Sequence, residues 1–266
     1  MDGFESRDIA ILTKDGISRS IDHVTSESPL SITVESEKHG KHELGITMRT
    51  EGHDDILAIG FLFSDGIISS IDDIDRLLVE ENQVIATLRK DLVFDPSHHC
   101  RRTTITSSCG ICGRIDIENG LSEFDKELSE KMNISLDAVK NCVNSVIEMQ
   151  KIFTVTGGSH ACASFTSDGS IDKVFEDVGR HNAFDKLVGS YLTDGEMGHD
   201  FAVFVSGRAS FELVQKSIRA GFPIMISVGA PSTLAVDLAK ENGMTLGCFA
   251  KGESITFFSG VRRISE

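Results

Sequence analysis

The chain has 266 residues, 40% of them hydrophobic and 25% charged, with a formal net charge of −15. That much apolar material supports a globular core built as one large domain or two small ones. With 41 acidic against 26 basic residues the surface repels a phosphate backbone, which argues against nucleic-acid binding, and no apolar run approaches the ~18 residues of a spanning helix. The opening Met1-Asp2-Gly3-Phe4-Glu5 is acidic and lacks the apolar core of a secretory signal, so a cytosolic protein with no membrane contact is expected.

Leu30, Ile32 and Val34 alternate with polar residues, as do Leu44, Ile46 and Met48 beyond Lys38-His39-Gly40-Lys41. This pattern predicts a hairpin. Residues 54–63 place Ile56, Ile59 and Phe63 on one helical face, closed by Ser64-Asp65-Gly66. Residues 84–88 and 103–106 are β-branched enough to be strands. Ser135 is placed to cap a helix carrying Val139, Val143 and Val146 at helical spacing.

From residue 201 the pattern changes. A strand over 201–205 leads through a turn to a helix over 211–220 closed by Gly221. A strand over 223–228 and a helix over 232–241, stopped by Asn242-Gly243, come next, and strands over 244–249 and 255–258 end the chain. Strand and helix in alternation imply right-handed crossovers and a mainly parallel sheet. The fold class is therefore α/β in the second half and α+β in the first. A strand-rich part over 1–130 and an α/β part over 131–266 together form one functional unit.

The sharpest chemical signal is Ser107-Ser108-Cys109-Gly110-Ile111-Cys112-Gly113. Glycines make the loop pliable, and backbone N–H groups with Arg101, Arg102 and Arg114 nearby favour a thiolate. Three readings compete: half of a zinc site, a dithiol redox pair and a sulfur-relay thiol. Tetrahedral zinc needs four ligands and no second Cys-x-x-Cys exists, while the flanks lack the pattern of a thioredoxin-like βαβ unit. A deaminase zinc would need a His-x-Glu or Cys-x-Glu segment, and neither occurs. Cys100, Cys142, Cys162 and Cys248 are scattered singly and read as small buried hydrophobes.

Three more clusters stand out. Thr156-Gly157-Gly158-Ser159-His160-Ala161 is a glycine turn leading into a small-residue strand. Glu176-Asp177-Val178-Gly179-Arg180-His181-Asn182-Ala183 is expected to open a helix with its acidic residues at the positive end, His181 lying one turn from Asp185. It reads equally as a ligand site or as a capped helix with a solvated charged face. Ser206-Gly207-Arg208 and Ser227 to Thr233 join strand ends to helix starts, where parallel sheets bind ligands and helix N-termini hold anions.

Taken together these segments resemble the FdhD family of formate dehydrogenase accessory sulfurtransferases. The resemblance also covers Gly60-Phe61-Leu62, Asp65-Gly66-Ile67-Ile68, the run from Ser206 to Lys216, Ala230-Pro231-Ser232-Thr233 and Gly243-Met244-Thr245-Leu246, in family order. It implies a cytidine-deaminase-like three-layer fold without the deaminase zinc site, assembled as a homodimer. It implies a sulfur carrier in which a cysteine desulfurase passes persulfide sulfur to Cys109, with Cys112 as companion. The sulfur would then go to the molybdenum (or tungsten) bis-guanine-dinucleotide cofactor of formate dehydrogenase. The family's cofactor-binding stretch maps to Phe249, Ala250, Lys251, Gly252, Glu253 and Ser254, though Cys248, Glu253 and Ser254 depart from the basic turn of many relatives. A guanine-nucleotide end is expected over Ser206, Gly207, Arg208 and Ser227, with Lys251, Arg180 and His181 along the side. A zinc-binding or cofactor-escort module without covalent transfer is the alternative.

Overall fold

The computed structural model describes residues 3–99, 128–251 and 254–265. The expected strand over 103–106, the loop holding Cys109 and Cys112, and Cys100, Gly252 and Glu253 lie outside the described residues. Strands β1 (Phe4–Thr13) and β2 (Gly16–Thr25) pair as an antiparallel ribbon. After it in the chain, β3 (Ser28–Ser36) and β4 (Gly40–Arg49) form the expected hairpin, with Leu30, Ile32 and Val34 fully buried.

The alternation in β4 does not carry through as the sequence suggests. The pairing register shifts between Ile32 and Thr33, passing over Leu44 on β4. Such a bulge exchanges the faces of everything beyond it. Ile46 and Met48 are therefore only half-buried, and Thr47 and Arg49 point inward instead. Burial of Arg49 is compensated by two hydrogen bonds to Asp54, at 2.9 and 2.8 Å.

Helix α1 (Asp54–Ser64) follows, and β5 (Ile74–Glu80) and β6 (Gln83–Leu88) complete a four-stranded sheet in the order β4-β3-β6-β5. Leu57 to Phe63 is buried without a break, because α1 lies between this sheet and a helix of the second half. Beyond the single turn α2 (Pro96–His99) come β7 (Ile134–Ser135), α3 (Leu136–Met149) and α4 (Lys151–Thr156). Ser135 is the expected cap of α3, its Oγ accepting the Ala138 N–H at 3.1 Å.

The second half continues with β8 (His160–Phe165), β9 (Ile171–Asp177), α5 (Arg180–Thr193), β10 (Ala202–Val205), α6 (Phe211–Arg219) and β11 (Ile224–Ser227). It ends with α7 (Thr233–Glu241), β12 (Thr245–Lys251), β13 (Ser254–Ser259) and β14 (Ile264–Ser265), which pairs with β7. Six strands form one sheet in the order β13-β12-β11-β10-β8-β9. It is parallel across its centre, β10 to β11 to β12, and antiparallel at both flanks.

Alternate residues of the central strands serve opposite faces. Val203, Val205, Met225 and Leu246 pack with α5, α6 and α7, while Ala202, Phe204, Ile224 and Ile226 pack with Val139, Cys142 and Val146 of α3. Helices on both faces of a buried sheet give the three-layer α/β arrangement. Among the described residues no helix is long and apolar enough to cross a membrane.

Candidate functional site

All six strands have an end at one edge of the six-stranded sheet, β13 starting there at Ser254 opposite Lys251. The parallel strands β10, β11 and β12 finish there, at Val205, Ser227 and Lys251. Because β8 runs the other way, it begins there with His160, and β9 returns to finish there, pairing Asp177 with His160. Segments far apart in sequence are thus placed side by side.

The segment from Glu176 to Ala183 accounts for much of the local rigidity. The helix starts at Arg180, so Glu176 and Asp177 belong to β9 and Gly179 is the cap, a correction to the expected acidic first turn. Both carboxylates are spent elsewhere. Glu176 accepts the N–H groups of Ile152 and Phe153, each at 2.9 Å, and the Ser159 hydroxyl at 2.7 Å, which fixes α4 and the glycine turn after it. Asp177, fully buried, meets Lys186 Nζ at 2.8 Å and accepts from Gly179 N, Asn182 Nδ2 and Thr50 N. Asn182 in turn accepts from Thr47 and donates to the Met48 carbonyl, joining the second half to the first. Burial raises the Asp177 carboxyl above its ordinary range against the opposing pull of Lys186.

The turns after β10 and β11 are stitched together. Gly229 N donates to Gly207 O at 3.0 Å, and Ser227 Oγ donates to the same carbonyl at 2.8 Å. A Cβ on Gly229 would stand 2.7 Å from the Gly207 oxygen, so glycine is required by this approach. Ser210 and Ser232 cap α6 and α7. Much of the polar capacity expected for an anion at these turns is therefore used in holding them.

The open space lies to one side, between the sheet and the α3–α4 layer. A cavity of about 530 Å3 is bounded by Val143, Ile147 and Phe153 on the helices and by His160, Ser206 and Lys251 at the strand ends. Its volume falls in the range of small-molecule sites, roughly 300–1,000 Å3. A smaller cavity of about 150 Å3, reached past Ala250 and Lys251, extends it towards Ser254 and Ile255.

Of the residues singled out on the sequence, Ser206, Ala250 and Lys251 line the main cavity and Ser254 lines its extension. Arg180 packs behind them against Gly207 and His160. His181 is buried on the far side, 3.7 Å from Glu212 and 3.4 Å from Ser210, and Arg208 is exposed outside the cavity. Phe249 is half-exposed with φ of +56, on the bulge that interrupts β12, and its ring lies 6.2 Å from that of Phe258. A non-glycine residue held there is strained by about 1 kcal/mol. Sequence reasoning did not place Gly157, Gly158, Ser159 and His160 at the site, although their clustering had marked them as unusual. Among the described residues no group of three or more His, Cys, Asp or Glu side chains is arranged to hold a metal.

Residues 25–265 match the sequence model of the FdhD/NarQ family. This chain belongs to that family. A relative called sulfur carrier protein FdhD, from Thermoplasma volcanium, is 38% identical over 251 residues, covering 91% of this chain and 89% of its own. The protein of the same name from Streptomyces avermitilis is 36% identical, covering 98% of this chain and 95% of its own. A crystal structure of a formate dehydrogenase accessory protein from Desulfotalea psychrophila superposes with a TM-score of 0.79 at 24% identity, covering 98% of this chain and 99% of that one. That likeness shows that the two chains share one fold over nearly their whole lengths.

Proposed function

We propose that this chain carries sulfane sulfur on Cys109, taking it from the persulfide of a cysteine desulfurase. It then delivers the sulfur to the molybdenum (or tungsten) bis-guanine-dinucleotide cofactor, its substrate, for formate dehydrogenase. The observation that carries the reading is the convergence of Gly157 to His160, Ser206, Ala250 and Lys251 on one cavity at the strand ends. The relatives' name, sulfur carrier, agrees with the sulfur-carrying part of this reading.

The cysteines narrow the choice of carrier. Cys142, Cys162 and Cys248 are fully buried, and burial pushes all three thiols up, Cys248 to about 12. Such thiols hold almost no thiolate at neutral pH and cannot meet a partner protein. Of the six cysteines only Cys100, Cys109 and Cys112 are left, and the glycine-flanked pair suits transfer.

In the loading step the Cys109 thiolate attacks the outer sulfur of the donor persulfide. The donor S–S bond breaks, a new one forms on Cys109, and the donor cysteine leaves as thiolate, with no net oxidation. Intact mass spectrometry after incubation with a desulfurase and cysteine should show a gain of about 32 Da that is lost in Cys109→Ala. An adduct that persists at another cysteine would falsify the assignment, and stoichiometric zinc in its place would favour the escort module.

The working form is proposed to be a homodimer, as closed two-fold assembly is the commonest arrangement for soluble proteins. Light scattering at micromolar concentration should return twice the chain mass of 28.9 kDa. A monomer would overturn this part alone.

A further inference from the structure

His160 is the first residue of β8 and lines the cavity beside Ser206. Ser206 Oγ accepts the Ala161 N–H at 2.9 Å and lies 3.4 Å from His160 Nδ1. A hydroxyl that already accepts an amide hydrogen is best satisfied by donating its own, which leaves the lone pair on Nδ1 and the ring proton on Nε2. The same corner is closed by Arg180, whose Cδ lies 3.1 Å, and by His160 Nδ1, which lies 3.5 Å, from where a Cβ on Gly207 would stand. Burial and the Arg180 guanidinium hold the imidazole below its ordinary range, and Asp177, which opposes them, is engaged with Lys186. Glu176 is likewise engaged with Ser159 and α4, and Lys251 stands across the cavity.

The imidazole is therefore a neutral group in a mostly apolar chamber. Val143, Ile147, Phe153, Phe204 and Val228 offer walls but no charge. An ionised group placed among them would lose its hydration, and of the described lining residues other than His160 only Lys251 carries a charge to offset that loss. A flat ring would lose little, and an oxygen on its edge would gain the Nε2–H.

We propose that His160 recognises the occupant of this cavity as a neutral Nε2–H donor. The occupant is a flat heteroaromatic base bearing a carbonyl oxygen, with any phosphates left outside towards Lys251. Ser206 is the positioning residue that fixes the tautomer. The inference rests on the proposed nucleotide-bearing substrate and adds the group that selects its base.

Calorimetry on the full chain with GDP and ADP tests it, on wild type, His160→Gln, His160→Phe and Ser206→Ala, with melting temperatures recorded for each. GDP, whose base carries a ring carbonyl, should bind wild type more tightly than ADP. His160→Gln keeps an N–H near the same place and should stay within about threefold of wild type, while His160→Phe should bind GDP about tenfold more weakly. Ser206→Ala should weaken GDP by about threefold. Nitrogen-15 spectra should show the Nε2–H tautomer of His160 in wild type and a mixture in Ser206→Ala. Wild-type affinity in a folded His160→Phe overturns the proposal, as does equal binding of GDP and ADP. Tighter binding on acidification that His160→Gln abolishes would mean an imidazolium–phosphate contact and would also overturn it. So would an absence of GDP binding at millimolar concentration. The sulfur-carrier reading is decided separately, by the Cys109 adduct.

Discussion

Gly60→Ala and Gly189→Ala are each expected to lower Tm by about 10 °C, a loss on the order of 3 kcal/mol. The two glycines face each other where α1 crosses α5. A Cβ on Gly60 would stand 2.7 Å from the Asp185 carbonyl carbon and 2.9 Å from Gly189 N. One on Gly189 would stand 2.7 Å from the Ile56 carbonyl carbon and 2.9 Å from Gly60 N. The obstacles are backbone atoms, so no side chain can rotate away and the helices themselves must part. The sign is diagnostic, because glycine to alanine in an unencumbered helix interior stabilises by up to about 1 kcal/mol. The double variant should cost little more than either single one, since the first methyl already separates the helices. Thermal unfolding followed by circular dichroism measures all three. Unchanged or raised Tm in the single variants would show that the crossing is looser than this.

Lys216→Met should cost about 3–5 kcal/mol at neutral pH. The Lys216 ammonium lies 2.6 Å from Asp185 and 3.4 Å from Glu212, and both carboxylates are largely buried. Ser64 also donates to Asp185, at 2.7 Å. Removing the ammonium leaves two carboxylates facing one another in the interior. Asp185→Asn is milder, since Lys216 keeps Glu212 and the amide oxygen still accepts from Ser64, and about 1–2 kcal/mol is expected.

The pH dependence follows from Asp185. Burial, with Glu212 adding to it, raises its carboxyl above the ordinary range against the pull of Lys216. A folded-state pKa above the unfolded value means that the stabilising form is the protonated one. That stability is present below the unfolded pKa and is lost as pH rises through the folded one. Lys216→Met removes the opposing cation and should therefore regain stability when a neutral solution is made mildly acidic. Urea unfolding at neutral and mildly acidic pH checks this. A variant that is weaker at the lower pH would contradict the account of the pair.

The same glycines and charges show what was legible beforehand. Strands and helices from residue 201 onward follow from local pattern, because each carries its own period and its own cap, such as Ser210 and Ser232. The β3–β4 hairpin was equally readable, but its inner face was not, since the bulge at Ile32 depends on pairing across the strands. The β1–β2 ribbon escaped because apolar and polar residues share both of its faces. Leu12 and Ile17 pair on one and Ile11 lies on the other, so no clean alternation marks it.

The site divides in the same way. Unusual clusters at residues 157–160, 176–183 and 206–208 were visible as clusters, since dense glycine, histidine and acid side chains have few purely local uses. Their roles were not visible. That Glu176 holds α4, that Asn182 joins Thr47 and Met48 to Asp177, and that Ser227 serves Gly207 are contacts between residues distant in sequence. By itself the sequence determined the β3–β4 hairpin, the strands and helices from residue 201 onward and which segments carry reactive groups, because period, capping and residue chemistry act within a few positions. Only the tertiary structure decided that His160, Ser206 and Lys251 share a cavity. The reversed direction of β8 beside β10, and the parallel run from β10 to β12, bring those three ends to one edge.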